Sequence, residues 1–290
     1  MTFKPAILLY LLCALLSPLM AQGDEQIIRM RPKQGAIDTS HDYFIGLVRL
    51  ALQKTPEQGP ARIVEISTDM PQARALLELS RGNLIDLDWA GTNIEREKLL
   101  RPIRIPLDGG LLGHRALVIR KESIPQFGQI KTAQDLAKYT GIQGSQWPDT
   151  AILELAGLKI EKPPKFEMMY PMLINRRGDY FPRGLNEVYA EFATLNNPDL
   201  VVYDKLLLVY KMPMYFFTAK NNTVLATRIE KGLRQAISDG SMLDYMKKSP
   251  VTAKLFPLSK YQGSRKIYLN NPSLPPETPI NDASLWLNLN

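Results

Sequence analysis

Runs of apolar and polar residues divide this chain into elements. "EQIIRMRP" predicts a first strand, and "DYFIGLVRLALQK" follows it as a helix in which Phe44, Leu47, Val48, Leu50 and Ala51 recur at helical spacing. "ARIVEIS" predicts a second strand. "TDMPQARALLELSRGN" predicts a helix marked at both ends: Asp69 is placed to cap it, Gln72 answers three residues later, Pro71 is tolerated in the first turn and Gly82 stops it. "LIDLDWAG" predicts a third strand. From about Arg104 the pattern changes, because "IRIPLDGGLLGHRALVIRK" carries glycines and then a long apolar strand. A second set of elements follows: the helix "TAQDLAKY", the strand and turn "TGIQGSQWPD", the helix "TAILELAG" and the strand "KFEMMY". "LVVYDKLLLVYKMPMYFFTAKN" supplies two more strands. "VLATRIEKGLRQAISDG" predicts a helix with Leu225, Ile229, Leu233 and Ile237 on one face and Gly240 as its stop. Strands alternating with helices at this pitch predict two α/β units with parallel-type sheets, and functional sites outside the carboxyl ends of the strands. Residues 262–290, with Pro272, Pro275, Pro276 and Pro279 and little periodicity, predict an extended tail on the surface.

The first 21 residues read as an address. Lys4 precedes an apolar run from Ala6 to Leu16 that breaks at Ser17-Pro18 and ends in Leu19-Met20-Ala21, the layout of a secretory signal peptide. A membrane span needs roughly 20 apolar residues, and Pro5 and Pro18 leave the run too short. Cys13 follows Leu11-Leu12, where a lipid-anchor signal has a small residue. Cleavage after Ala21 removes the chain's single cysteine, which excludes a disulfide and cysteine catalysis, and it places the protein in the periplasm.

The formal net charge of +7 is spread out, with no Lys/Arg run longer than two residues. Such a surface is solvated and biased toward anionic ligands; a nucleic-acid partner is not expected. His41 and His114 are far apart in the chain and belong to no metal-spaced cluster, so neither a metal nor another cofactor is expected. No G-x-S-x-G elbow occurs. "DGGLLGH" lacks the Lys-Ser/Thr of a phosphate loop and reads as a turn before a strand.

One stretch poses a question of charge. In "RRGDYFPRGLNE" Arg183 sits two residues past Tyr180 and Phe181, at what the pattern makes a buried strand end. A guanidinium taken from water needs a partner. Either a visiting anion meets Arg183 in a planar fork, or Glu187, four residues on, folds back to it.

The order of the pieces resembles the type II periplasmic solute-binding proteins, in the branch that binds polar amino acids. "LLELSRGNLIDLDWAGTNIEREKLLRPIRIP" and "MPMYFFTAKNNTVLATRIEKGLRQAISDGSMLDYM" are similar to two runs of that branch, over roughly residues 25–250. "GLLGHRALVIR", "QGSQWPDTAIL" and "GDYFPRGLNEV" resemble a divergent substrate-binding-like subgroup. The resemblance implies two lobes joined by strands crossing near Ala116–Lys121 and Met214–Lys220. Lobe 1 would then comprise 22–117 and 218–261, lobe 2 would comprise 118–217, and 262–290 would be the tail. It also implies a non-catalytic monomer that hinges shut over a small polar, amino-acid-like or anionic ligand and serves a membrane permease or a membrane sensor.

The resemblance further implies where the ligand is held. Arg96 matches the arginine that takes a carboxylate, Gly91 and Thr92 form the loop beside it, and Gly144 and Ser145 in "QGSQW" match a glycine turn whose amides hold an anion. Arg183-Gly184 stands where the family has an aspartate, which inverts the preferred charge. Trp147, Tyr43 and Trp89 are aromatic candidates for the cleft, each equally readable as core. Asp69 reads as a helix cap before it reads as a ligand contact. Two alternatives remain open on this fold: an envelope interaction module with a degenerate cleft, and a dehydratase-like enzyme using Glu187 or Glu95 as general acid.

Overall fold

β1 (Gln26–Met30) buries Ile28 and Met30 and pairs in parallel with β2 (Ala61–Glu65), from Gln26 opposite Ala61 to Met30 opposite Glu65. The connection is α1 (Ser40–Gln53), which packs Phe44, Leu47, Val48 and Ala51, the stripe its spacing predicts, into the core. α2 (Gln72–Arg81) ends at Gly82, whose φ of 70° is the left-handed conformation that glycine adopts without strain. Its start is two residues later than the capping pattern predicts. Pro71 occupies the cap position with no side-chain bond, and Gln72 is the first helical residue. The computed structural model describes residues 25–35, 38–68 and 70–289, so the expected signal segment and Asp69 lie outside the described residues.

β3 (Asp88–Gly91) is buried throughout, and the Asp86 and Leu87 amides just before it donate to the Arg29 carbonyl at 2.9 and 3.4 Å. α3 (Ile94–Leu99) and β4 (Leu100–Ile103) follow. The chain then leaves this lobe through residues 104–113. In the second lobe β5 (His114–Arg120), α4 (Ile124–Gly128), α5 (Ala133–Leu136), β6 (Thr140–Ile142), α6 (Pro148–Leu155), β7 (Lys159–Glu161), α7 (Met169–Ile174), β8 (Tyr180–Gly184), α8 (Leu185–Leu195) and β9 (Leu200–Val209) succeed one another. After residues 210–213, β10 (Met214–Ala219) returns to the first lobe and inserts antiparallel between β3 and β4. α9 (Thr223–Ser238) and α10 (Ser241–Lys248) complete that lobe, and β11 (Arg265–Tyr268) pairs in parallel with β9. The six-stranded sheet of the second lobe runs β11-β9-β5-β8-β6-β7.

Among the described residues there are three sheets rather than two parallel ones: β1-β2 is parallel, β3-β10-β4 is antiparallel because β10 runs against both neighbours, and the six-stranded sheet is mixed because β5 runs against β8 and β9. The stretches expected to cross between lobes are themselves sheet members. Ala116–Arg120 lies inside β5 between β8 and β9, and Met214–Ala219 is β10. A strand buried on both faces and a crossing strand carry the same apolar run, so pattern alone does not separate them. Residues 165–170 are expected as a strand, but the chain is helical from Phe166 on. Met169, Tyr170 and Leu173 are buried on one side of α7, and β4 and β7 are strands that the pattern does not predict. The tail is also more than an extended surface segment, since it contributes β11 and buries Leu285 and Leu289.

α9 packs against α1 along Leu225, Ile229 and Leu233, with Ile237 half-buried. Burying each such side chain is worth about 1.5–3 kcal/mol. The helices approach so closely that a Cβ at Gly232 would stand 2.1 Å from the Ala51 carbonyl oxygen.

Candidate functional site

The carboxyl ends of β1, β3, β6 and β8 open on one cleft between the lobes. It contains a cavity of about 90 Å3, walled by Arg31, Phe44, Trp89 and Gly91 on one side and by Arg115, Trp147, Asp149, Phe166, Arg183, Glu187 and Glu191 on the other. A second space of about 290 Å3 adjoins it, sharing Gln34, Gln72, Trp147 and Phe166, and reaches Gly144, Ser145 and Gln146.

On the first-lobe wall, Arg31 follows directly after β1. Its Nε donates to Asp88 Oδ1 at 2.7 Å, its guanidinium lies 4.1 Å from the Trp89 ring centre, and its Nη1 is buried with no hydrogen-bond partner. Burial pushes the Asp88 carboxyl up, against the pull of Arg31. Phe44 packs on Trp89 at 4.9 Å between ring centres.

The second-lobe wall is a chain of buried ion pairs. Arg115 on β5 pairs with Asp149 at the start of α6 at 2.7 Å, with Glu187 at 3.3 Å, and donates to the Tyr210 hydroxyl at 3.0 Å. Arg183 on β8 donates twice to Glu191, at 2.9 and 2.5 Å, and meets Glu187 at 2.9 Å. The Tyr170 hydroxyl donates to Glu191 at 3.0 Å. Helical spacing puts Glu187 and Glu191 on one face of α8, both toward Arg183. Burial opposes the charge of Arg183, yet the two carboxylates hold its pKa above the ordinary guanidinium value. Three carboxylates face two guanidinium groups here, so Glu191 bears the cost. Burial, reinforced by Glu187 and resisted by Arg183, pushes it up to about 7.

The question posed by Arg183 is thereby answered from within. Its charge is neutralised by Glu187 and, unforeseen, by Glu191, which removes the argument for an additional ligand anion at this position. Trp147 and Trp89 both line the cavity, as does Gly91. Tyr43 does not: it is buried, its hydroxyl donates to the Leu107 carbonyl at 2.7 Å, and its neighbour Phe44 takes the cleft position. Thr92 has no hydroxyl proton or amide to spare, since these go to Glu97 at 2.7 Å and to the Pro213 carbonyl at 3.0 Å.

Arg96 is absent from the cavity wall. Its Nη1 donates to the Gly91 carbonyl and its Nη2 crosses to the Gln146 carbonyl of the other lobe at 3.2 Å, so it ties the lobes together. Burial lowers its pKa to about 10, opposed by Asp149 and Asp88. The turn at Gly144 and Ser145 is no free anion cradle either. The Ser145 amide donates to Pro163, the Trp147 amide donates to Gly144, and the helix opens on Pro148, which has no N–H. Gly144 is required sterically, because a Cβ there would stand 2.6 Å from the Trp147 ring.

Glu187 has both oxygens engaged by Arg183, Arg115 and the Gly184 amide, and Glu95 is exposed and paired with Lys98. Glu187 lies in the cavity wall with no free oxygen, and Glu95 lies outside it, so neither is placed to act as a general acid. Among the described residues no group of three or more His, Cys, Asp or Glu could hold a metal ion, and no helix is long and apolar enough to cross a membrane.

Sequence reasoning missed Arg31, Phe44, Arg115, Asp149, Phe166 and Glu191. For Arg31 the signal was available, as a charged residue at the carboxyl end of the first strand. For Glu191 it was the step of four from Glu187 on a helix.

No protein-family model matches the chain, and no curated protein matches it in sequence. Solved structures do resemble it. An ancestral arginine-binding protein bound to arginine is similar at 18% identity and a TM-score of 0.58, over 78% of this chain and 99% of that one. A Salmonella typhimurium periplasmic binding protein with high arginine specificity is similar at 15% identity and 0.57, over 77% and 99%. The GluR0 ligand-binding core of Nostoc punctiforme, in complex with L-glutamate, is similar at 15% identity and 0.55, over 78% and 99%. The chain has the two-lobed α/β fold of these proteins.

Proposed function

We propose that this is a non-catalytic periplasmic binding protein that closes over a small polar, amino-acid-like solute and hands it to a membrane permease for uptake or presents it to a membrane sensor. The observation that carries the reading is a polar and aromatic cavity walled by both lobes and bridged by Arg96 to Gln146. A solute that touches both walls stabilises the closed arrangement in proportion to its extra contacts there. The proteins of similar fold bind arginine and L-glutamate, which favours an amino-acid-like ligand. The cleft's charges are close to balanced, so a zwitterionic, amino-acid-like ligand fits better than one with an additional anionic group for Arg183. Its carboxylate would lie toward Arg31, whose Nη1 has no partner.

Thermal-shift measurements on the mature protein, freed of co-purified solute by unfolding and refolding, test this reading. One class of small amino or hydroxy acid is expected to raise the melting temperature by several degrees through linkage and to be recovered unchanged. No shift with any such compound would overturn the reading, and consumption of the compound would replace binding with catalysis.

A further inference from the structure

Three rings and two carboxylates converge on the guanidinium of Arg183. Its central carbon lies 5.0 Å from the Trp147 ring centre, 5.2 Å from Phe181 and 5.3 Å from Phe166, while Glu187 and Glu191 take its N–H groups. Aromatic faces around a planar cation, with carboxylates on its edge, are what a receptor for a guanidinium-bearing solute would require. All but Phe181 also line the cavity, so the receptor belongs to the cleft and not to the core behind it.

We infer that Arg183 is a built-in occupant of a guanidinium cage, and that it sets the cleft's specificity by excluding solutes with a long cationic side chain. The inference deepens the solute-binding reading and rests on it for its substrate class: a compact amino-acid-like compound without a guanidinium or extended ammonium tail. Three observations agree. The cavity left beside Arg183 is only about 90 Å3, and the 290 Å3 space that adjoins it has neither Glu187 nor Glu191 in its wall to meet a cation. The carboxylates that would meet an incoming cation are already in ion pairs with Arg183 and Arg115. The rings that would sandwich it already flank Arg183. The place such a tail would need is therefore filled by a side chain of the protein itself.

Chemical complementation tests the cage directly. Arg183→Ala removes the equivalent of ethylguanidinium while keeping the peptide chain. Millimolar ethylguanidinium is expected to raise the melting temperature of this variant by several degrees and to leave the wild type unmoved. Ethylammonium, which has the charge without the fork, should do much less. In parallel, the wild type is titrated with L-alanine, L-serine and L-arginine. Stabilisation by a short amino acid and none by L-arginine is expected, and stabilisation of the wild type by L-arginine overturns the inference.

A folded Arg183→Ala protein indifferent to ethylguanidinium overturns it as well. If the variant folds only when ethylguanidinium is present, the inference is supported. If it stays unfolded even then, the cage does not recognise the fork and the inference fails. A wild type that binds no solute, combined with rescue of the variant, would retain the cage and discard the solute-binding reading.

Discussion

Arg31 and Asp88 form a buried pair in which each partner depends on the other. Removing one leaves an uncompensated charge, which typically costs about 3–5 kcal/mol. Arg31→Gln is therefore expected to lower unfolding free energy by about that amount in urea titrations, and Arg31→Gln combined with Asp88→Asn to recover most of it by making the pair neutral. If Arg31 also receives the solute's carboxylate, the double variant should fold yet bind more weakly.

The pH dependence follows from Glu191 and Asp108. Burial pushes both up to about 7, in Asp108 against hydrogen bonds from the Gly110 and Leu112 amides. Unfolded carboxyl groups lose their protons near pH 4. Between about 4 and 7 the folded protein thus binds more protons than the unfolded chain, and stability falls as pH rises through that window, by up to about 1.4 kcal/mol per pH unit for each group. Unfolding free energies at pH 5, 6 and 7 should show the fall, and Glu191→Gln should flatten it. An unchanged slope in that variant would remove Glu191 as a cause.

At this scale the sequence showed that a charge would need a partner, as for Arg183. It did not show which partner, because Glu191 and Arg115 approach Arg183 and Glu187 only once α8, β5 and β8 are packed. Thr92 and Tyr43 were misassigned for a related reason. Proximity to the cleft was readable, but whether their polar atoms were already used was not.

Among the elements, legibility followed the length and strength of the pattern. α9 carries four apolar residues at helical spacing and a glycine stop, and its limits match the expectation closely. β7 is three residues long and has no interior to betray it. "KFEMMY" was misread because its helical repeat, Met169, Tyr170 and Leu173, continues past the window in which it resembles a strand. Packing between elements adds constraints invisible to either one alone. Gly232 reads as a weak spot in a helix, where glycine costs about 1 kcal/mol relative to alanine. Contact with the Ala51 carbonyl reverses that sign: Gly232→Ala must push α9 off α1 and is expected to cost about 1–3 kcal/mol of overpacking. A gain in stability on thermal or urea unfolding would show that the interface yields without strain.

For the molecule as a whole, the hinge closure proposed above would bend the chain at residues 104–113 and 210–213, which connect the lobes, and the C-terminal segment is bound to both. Beyond β11, the Leu269 amide donates to Val209 at 2.8 Å and the Asn271 side chain to the Lys211 carbonyl at 2.8 Å. The Ser273 carbonyl then accepts from the Ile94 amide of the first lobe at 3.0 Å, and Leu287 N donates to Gly109 at 2.9 Å. Trp286 and Leu287 lie against Gly110 and Gly109, where a Cβ would stand 2.4 and 2.5 Å from them. Both glycines also have positive φ, 83° and 61°, so the crossing turn is shaped for this contact.

A proline-rich stretch without periodicity hides such a role, because its partners lie far away in sequence. Physically it is a further tie across the hinge, and its loss should free the motion while sparing the cores of both lobes. Trp286→Ala with Leu287→Ala is expected to speed amide hydrogen exchange in 104–113 and 210–213 by on the order of tenfold, with β5 and β9 little changed, because local opening there no longer breaks the tail's contacts. Small-angle scattering of the same variant without solute should give a larger radius of gyration than the wild type. Unchanged exchange at the crossings would mean that the tail covers the hinge without restraining it.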